Sequence, residues 1–142
     1  MAEATIPCLV RRLLVRWGMR PHDAAPPDWA EWRANVLVGE VRARTFDLRV
    51  PSDAPPTVER AGSEQRDVLD DLKPGATLEA ALGCAFGDKA PAIAADAAQR
   101  ARDGRPMYVD LRDRGYAAAF LPLVERGELH ITGCVVLAGA CD

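Results

Sequence analysis

The segment from Arg105 to Gly139 constrains the fold most, because its pattern predicts a strand–helix–strand unit. An apolar run at 107–111 predicts a strand, and the polar residues at 112–115 predict the turn that follows it. Apolar residues recur at helical spacing across 116–126. Residues 128–137 are again rich in β-branched and aliphatic side chains, which predicts a second strand. A chain with this unit belongs to the mixed α and β class.

The remaining sequence adds several helices and one more stretch of strand. In chain order, we predict helices at 5–18, 29–35, 63–72, 77–82 and 91–103, and a bent strand or hairpin at 36–50. Asp28 followed by Glu31 has capping-box spacing, and Thr77 can cap another helix. The order favours an α+β fold with a single layer of three to four strands and helices packed against it. The 142 residues suit a single domain, with a mobile proline-rich loop at about 51–64.

The same periodicity predicts the core. The residues expected to be largely buried are Leu13, Trp17, Trp32, Leu48, Leu72, Leu82, Ile93, Val109, Phe120, Leu123, Ile131 and Val135. Phe46 and Leu48 alternate with Asp47 and Arg49, which predicts a strand with one polar, solvent-facing side.

Composition excludes several classes of protein. The formal net charge is −3, too mild to indicate a dedicated nucleic-acid-binding domain. Arginine outnumbers lysine 16 to 2, which a GC-rich coding sequence explains and which also supplies many planar guanidinium groups. No apolar run has the length of a membrane span. The four cysteines form no C-x-x-C pair, and we therefore expect reduced thiols, a cytoplasmic location and no metal site.

The N-terminal helix carries the first candidate binding residues. Arg12, Arg16 and Arg20 repeat every fourth residue and form a basic stripe beside Trp17. Guanidinium groups bind carboxylates or phosphates, and a tryptophan can anchor a protein interface or stack on a base. The alternative is an amphipathic helix whose arginines are simply solvated. We interpret the stripe as a partner-binding surface, for a protein or for the chain itself, with nucleic acid as the second choice.

Two further tryptophans, Trp29 and Trp32, are one helical turn apart and share a face of the second helix. Such a pair is typical of a core or an interface between proteins, and less often of a carbohydrate or base stack. We include both among the candidate partner-binding residues.

A carboxylate pair, Asp110 and Asp113, follows the first C-terminal strand. Two carboxylates can hold a divalent cation or transfer protons. Arg112 and Arg114 alternate with them, which is equally typical of a solvated turn. The glycines at 83 and 87 lack the spacing of a phosphate-binding loop, so no cofactor is expected.

These patterns favour a non-enzymatic interaction protein, an accessory, regulatory or assembly subunit that acts through protein–protein surfaces. The first alternative is a nucleic-acid-associated factor that uses the N-terminal helix. The second is a small metal-assisted enzyme that uses Asp110 and Asp113. No catalytic residue is assigned, and the sequence is not identified as a member of a known family.

Overall fold

The protein has an α+β fold built on one five-stranded antiparallel sheet, seen in a computed structural model that describes residues 8–18, 26–69 and 72–137 without the side chain of Cys84. The strands are β1 (Phe46–Val50), β2 (Thr57–Ala61), β3 (Met107–Leu111), β4 (Tyr116–Glu125) and β5 (Glu128–Leu137). Their order across the sheet is β2-β1-β5-β4-β3. The expected α+β class is confirmed, and the expected number of strands is slightly too low.

Five α-helices are described: α1 (Cys8–Gly18), α2 (Trp29–Asn35), α3 (Gly39–Ala43), α4 (Leu78–Phe86) and α5 (Ala90–Arg102). Two predicted caps are present: the Asp28 carboxylate accepts a hydrogen bond from the Glu31 amide at 3.0 Å, and Thr77 Oγ1 accepts one from the Ala80 amide at 3.2 Å. Within the described ranges, no helix combines the length and hydrophobicity needed to cross a membrane.

The predicted helix at 116–126 is wrong, because this segment is strand β4. A two-residue turn at Arg126 and Gly127, with φ of 50° and 80°, joins β4 to β5. Positive φ at both turn positions matches the twist of a tight β-hairpin. Side chains of β4 are buried on both faces of the sheet. A strand buried on both faces is apolar throughout, and this pattern resembles that of a buried helix.

Helices cover both faces of the sheet. The first face packs α4 and α5 against Phe46, Phe120 and Ile131, among others. The second packs α1 and α2 against alternate residues of β4, such as Leu121 and Leu123. The sheet is therefore the middle of three layers, which explains why its central strands have few polar residues.

Segments between these elements also differ from expectation. Residues 36–50 contain the short helix α3 as well as β1, and the proline-rich stretch at 51–64 contains strand β2. Leu37 and the partly buried Val36 pack in the core beside α2 instead of forming a strand. The predicted helix at 63–72 is reduced, within the described residues, to one 3₁₀ turn at Gln65–Asp67.

That 3₁₀ turn places a buried glutamine against the sheet. Gln65 Nε2 donates to the Val135 carbonyl at 2.7 Å, and Gln65 Oε1 accepts from the Val135 amide at 2.8 Å. β1 pairs with β5 only as far as Gly133, so the glutamine amide replaces the missing strand at Val135. Both buried backbone groups of Val135 are thereby satisfied.

We expect Gln65→Ala to lower the free energy of unfolding by about 1–3 kcal/mol, because it leaves a buried backbone donor and acceptor without partners. Urea unfolding measures the change. As a control, Gln99→Ala on the exposed side of α5 should change it by less than about 0.5 kcal/mol. Equal stability of the two variants would contradict the role given to Gln65.

Two cysteines have contrasting states. Cys8 forms a disulfide bond whose partner is outside the described side chains, so the expectation of four reduced thiols is wrong. Cys134 is a free thiol, and burial in the hydrophobic core between the sheet and helices α1 and α2 raises its pKa to about 12. At neutral pH Cys134 is therefore protonated and a poor nucleophile.

We expect dithiothreitol to lower the melting temperature, because a disulfide typically contributes about 2–4 kcal/mol of stability. A Cys8→Ser variant should melt lower than the wild type and be unaffected by the reductant. Iodoacetamide should not label Cys134 until the protein unfolds. Melting that is unchanged by dithiothreitol would show that the disulfide is dispensable.

Candidate functional site

Trp17, Trp29 and Trp32 belong to the hydrophobic core between the sheet and helices α1 and α2. At most 7% of each residue is exposed. Trp17 Nε1 donates to the Pro122 carbonyl at 2.7 Å. Pro122 lies beyond Phe120, the last residue of β4 that pairs with β3. Trp32 Nε1 donates to Thr132 Oγ1 at 3.1 Å. Each of the three rings holds a helix against the sheet and is not an exposed anchor, and partner binding through Trp17, Trp29 and Trp32 stays a prediction.

The arginines of the stripe have a different location. Arg12 and Arg16 are exposed on the flank of α1, and Arg20 is outside the described residues. Arg12 and Arg16 line a hollow of about 390 Å³ whose other wall is the segment from Val36 to Val41. We call this hollow the α1–α3 groove. No ion pair or hydrogen bond involves either guanidinium within the part of the chain that the structure describes.

Asp110 and Asp113 lie in consecutive elements, strand β3 and the 3₁₀ turn that follows it. The Asp110 carboxylate accepts a hydrogen bond from Arg112 Nε at 2.9 Å, and Asp113 is exposed in a 3₁₀ turn. Among the described side chains, no group of three His, Cys, Asp or Glu residues is arranged to hold a metal ion. The turn therefore has the contacts of a solvated surface.

A polar cluster that the sequence did not predict is on the α2 side of β1, β2 and β5. It depends on a β-bulge in β2: Asp47 pairs with Arg60 and Leu48 pairs with Val58, so Glu59 is an extra residue. A bulge turns two consecutive side chains toward the same face. Both Glu59 and Arg60 thereby reach partners under α2.

Arg60 and Asp47 form the centre of this cluster. Arg60 Nε donates to the Asp47 carboxylate, and its other two nitrogens donate to Thr45 Oγ1 at 2.7 Å and to the Arg42 carbonyl at 2.6 Å. The second carboxylate oxygen of Asp47 accepts from Thr132 Oγ1 at 3.1 Å. Burial raises the pKa of Asp47 above its usual value, and the nearby Arg60 opposes that rise. The alternation with apolar neighbours had wrongly indicated a solvent-facing Asp47.

The second part of the cluster is built around His130. Its ring stacks on Trp29 with centroids 4.8 Å apart and planes 9° apart. His130 Nδ1 is 3.0 Å from Glu59 Oε2, and Nε2 is 3.8 Å from Glu128 Oε2. The guanidinium of Arg33 lies 5.2 Å from the Trp29 ring centroid, a cation–π contact. His130 is buried, and Glu59 and Trp29 are its side-chain partners.

A small cavity of about 240 Å³ opens between these groups. We call it the bulge cleft; its lining includes Trp29, Arg33, Arg42, Glu59 and Arg60. Among the described residues that line it there is no serine or cysteine, and the carboxylate of Glu59, which lies beside His130, is already hydrogen-bonded. The arrangement is therefore better suited to binding a ligand than to nucleophilic catalysis.

Two larger hollows, of about 570 and 710 Å³, flank the segment at 51–56. Arg102 holds this segment by donating to the carbonyls of Pro51 and Ala54 at 2.9 and 3.0 Å. The guanidinium of Arg102, which lines both hollows, is therefore hydrogen-bonded to backbone oxygens. These hollows bring together fewer charged groups than the bulge cleft.

Comparison of the chain with protein-family models, with curated proteins and with solved structures finds no match in any of the three.

Titration of Asp47 gives a direct test of the cluster. The pKa of Asp47 in the folded protein exceeds the usual value of 3.8. In the pH interval between the two pKa values, Asp47 is protonated in the folded protein and ionised in the unfolded chain, so folding takes up a proton. The contribution of Asp47 to stability is therefore largest below that interval and falls as the pH rises through it. We expect the difference in unfolding free energy between wild type and Asp47→Asn to fall with rising pH. Urea unfolding from below pH 3.8 to neutrality measures this difference, and a rise with pH would contradict the assignment.

Proposed function

We propose that this protein is a non-enzymatic accessory, regulatory or assembly subunit that binds a partner protein in the α1–α3 groove. The observation that supports this proposal is the combination of exposed Arg12 and Arg16 with an aliphatic wall at Val36, Val38 and Val41. Interfaces commonly combine an apolar centre with charged groups at the rim.

The exposed aliphatic residues favour a protein partner. Val38 is 51% exposed in the groove, and Val15 is 59% exposed on the outer side of α1. Burying such surface contributes about 25 cal/mol per Å². The two guanidinium groups add bidentate contacts to carboxylates. The groove therefore matches a segment that carries aliphatic side chains and that places its carboxylates at Arg12 and Arg16, away from Glu40 on the other wall.

Nucleic acid remains the alternative ligand of the same arginines, which can bind phosphate groups. Stacking on a base by Trp17 does not support this alternative, because the ring is buried. A metal-assisted enzyme using Asp110 and Asp113 has less support, since Asp110 is paired with Arg112. A cytoplasmic location stays a prediction, and the Cys8 disulfide argues for a more oxidising compartment.

The test compares Arg12→Gln/Arg16→Gln with wild type as baits for proteins from the native source. We expect the captured partner to bind the variant at least tenfold more weakly, equivalent to about 1.4 kcal/mol. The fold should survive, because both side chains are exposed. Calorimetric titration with the purified partner measures the affinity.

The matched control is Arg66→Gln/Arg105→Gln, which removes the same charge from exposed positions outside the groove. It should bind the partner as the wild type does. Equal weakening by both variants would indicate a general charge effect. Capture of nucleic acid instead of protein, with steep loss of binding on adding salt, would favour the alternative.

A further inference from the structure

The bulge cleft has charged groups at its mouth that do not take part in the hydrogen bonds between Arg60 and Asp47. Arg60 and Asp47 neutralise each other at the floor, and all three guanidinium nitrogens of Arg60 have partners within the protein. Arg33 and Arg42 are exposed at the rim. The mouth of the cleft thus presents two guanidinium groups.

The two rim arginines are held by different parts of the fold. Arg33 lies against the Trp29 ring and is 3.7 Å from Glu125 Oε2, with about half of its side chain exposed. The backbone of Arg42 is fixed because its carbonyl accepts from Arg60 Nη1. Stacking on Trp29 reduces the conformational entropy that a ligand would otherwise have to remove from the Arg33 side chain. A planar oxyanion is the natural partner of such groups.

Glu59 supplies the acceptor at the same mouth. Its Oε2 is bonded to His130 Nδ1, and its side chain is 33% exposed. A carboxylate has more acceptor positions than this one hydrogen bond uses. A ligand that carries a donor close to its own carboxylate could therefore satisfy Glu59 and the arginines together.

We propose that the bulge cleft binds a small carboxylate with an amino or hydroxyl group on the adjacent carbon. The ligand carboxylate lies on Arg33 and Arg42, and its amino or hydroxyl group donates to Glu59. The volume of about 240 Å³ is below that of pockets for drug-sized ligands, so the ligand has few heavy atoms.

Other ligand classes fit the cleft less well. A phosphate dianion would bring two negative charges close to Glu59 and Asp47, while a simple amine would face Arg33 and Arg42. Acetate would contact the arginines but would offer no donor to the free acceptor positions of Glu59. The order of affinity should therefore be glycine and glycolate first, and acetate, phosphate and methylamine after them.

Calorimetric titration of the full chain with these five probes tests the order. We expect glycine or glycolate to bind with a Kd of about 1 mM or tighter, and acetate at least tenfold more weakly. Failure of both glycine and glycolate to bind would overturn the proposal. So would phosphate binding more tightly than both.

Two variants assign the contacts. Arg42→Gln should weaken glycolate binding at least tenfold, whereas Arg105→Gln, an exposed arginine outside the cleft, should not. Glu59→Ala should make glycolate bind no better than acetate. Glu128→Ala removes the other carboxylate near His130 and should keep the preference for glycolate, because Glu128 does not line the cleft. Unchanged binding in Arg42→Gln, or a retained preference in Glu59→Ala, would refute the site.

Discussion

The ion pair between Asp47 and Arg60 is the interaction on which the rest of the second face depends. Through Thr132 it reaches the indole of Trp32 on α2, and through the Arg42 carbonyl it reaches α3. Strands β1, β2 and β5 and two helices therefore meet at one buried carboxylate. Removing one partner of such a pair leaves an uncompensated buried charge, which lowers the stability far more than replacing both partners by apolar residues does.

A buried ion pair is weak evidence of stability, because desolvation opposes the Coulombic attraction. The effect of this ion pair is instead to hold β1, β2 and β5 in a defined arrangement. Arg60 is the direct cross-strand partner of Asp47, and the bulge begins at the neighbouring residue of the edge strand, Glu59. The bulge thus places Glu59 beside His130, and both Glu59 and Arg60 line the cleft.

The groove and the cleft share one piece of chain. Val36, Val38 and Val41 line the α1–α3 groove, whereas Leu37 and Arg42 line the bulge cleft. The segment that connects α2 to β1 is thus the wall between the two sites. It is held at one end by the α2 C-terminus, where the Val36 amide donates to the Trp32 carbonyl at 2.9 Å, and at the other by Arg60.

The sequence by itself determined some of the local elements and most of the core. Capping residues such as Asp28 and Thr77 and periodic apolar residues such as Leu13 and Ile131 identify helices and buried faces, because these signals act over a few residues. Of the residues expected to be buried, Val109 is only partly covered, since β3 is at the edge of the sheet. Arg12 and Arg16 were also found from spacing, as exposed residues of one helix flank.

Only the tertiary structure decided the rest. Whether 116–125 forms a helix or a strand depended on its having strands on both sides and helices on both faces, which no local pattern encodes. Asp47, Glu59, Arg60 and His130 come from three strands, and their separations along the chain carry no motif. Their contacts arise from strand register and one bulge. Long-range pairing sets both, so the cleft is a property of the folded chain and not of any segment of it.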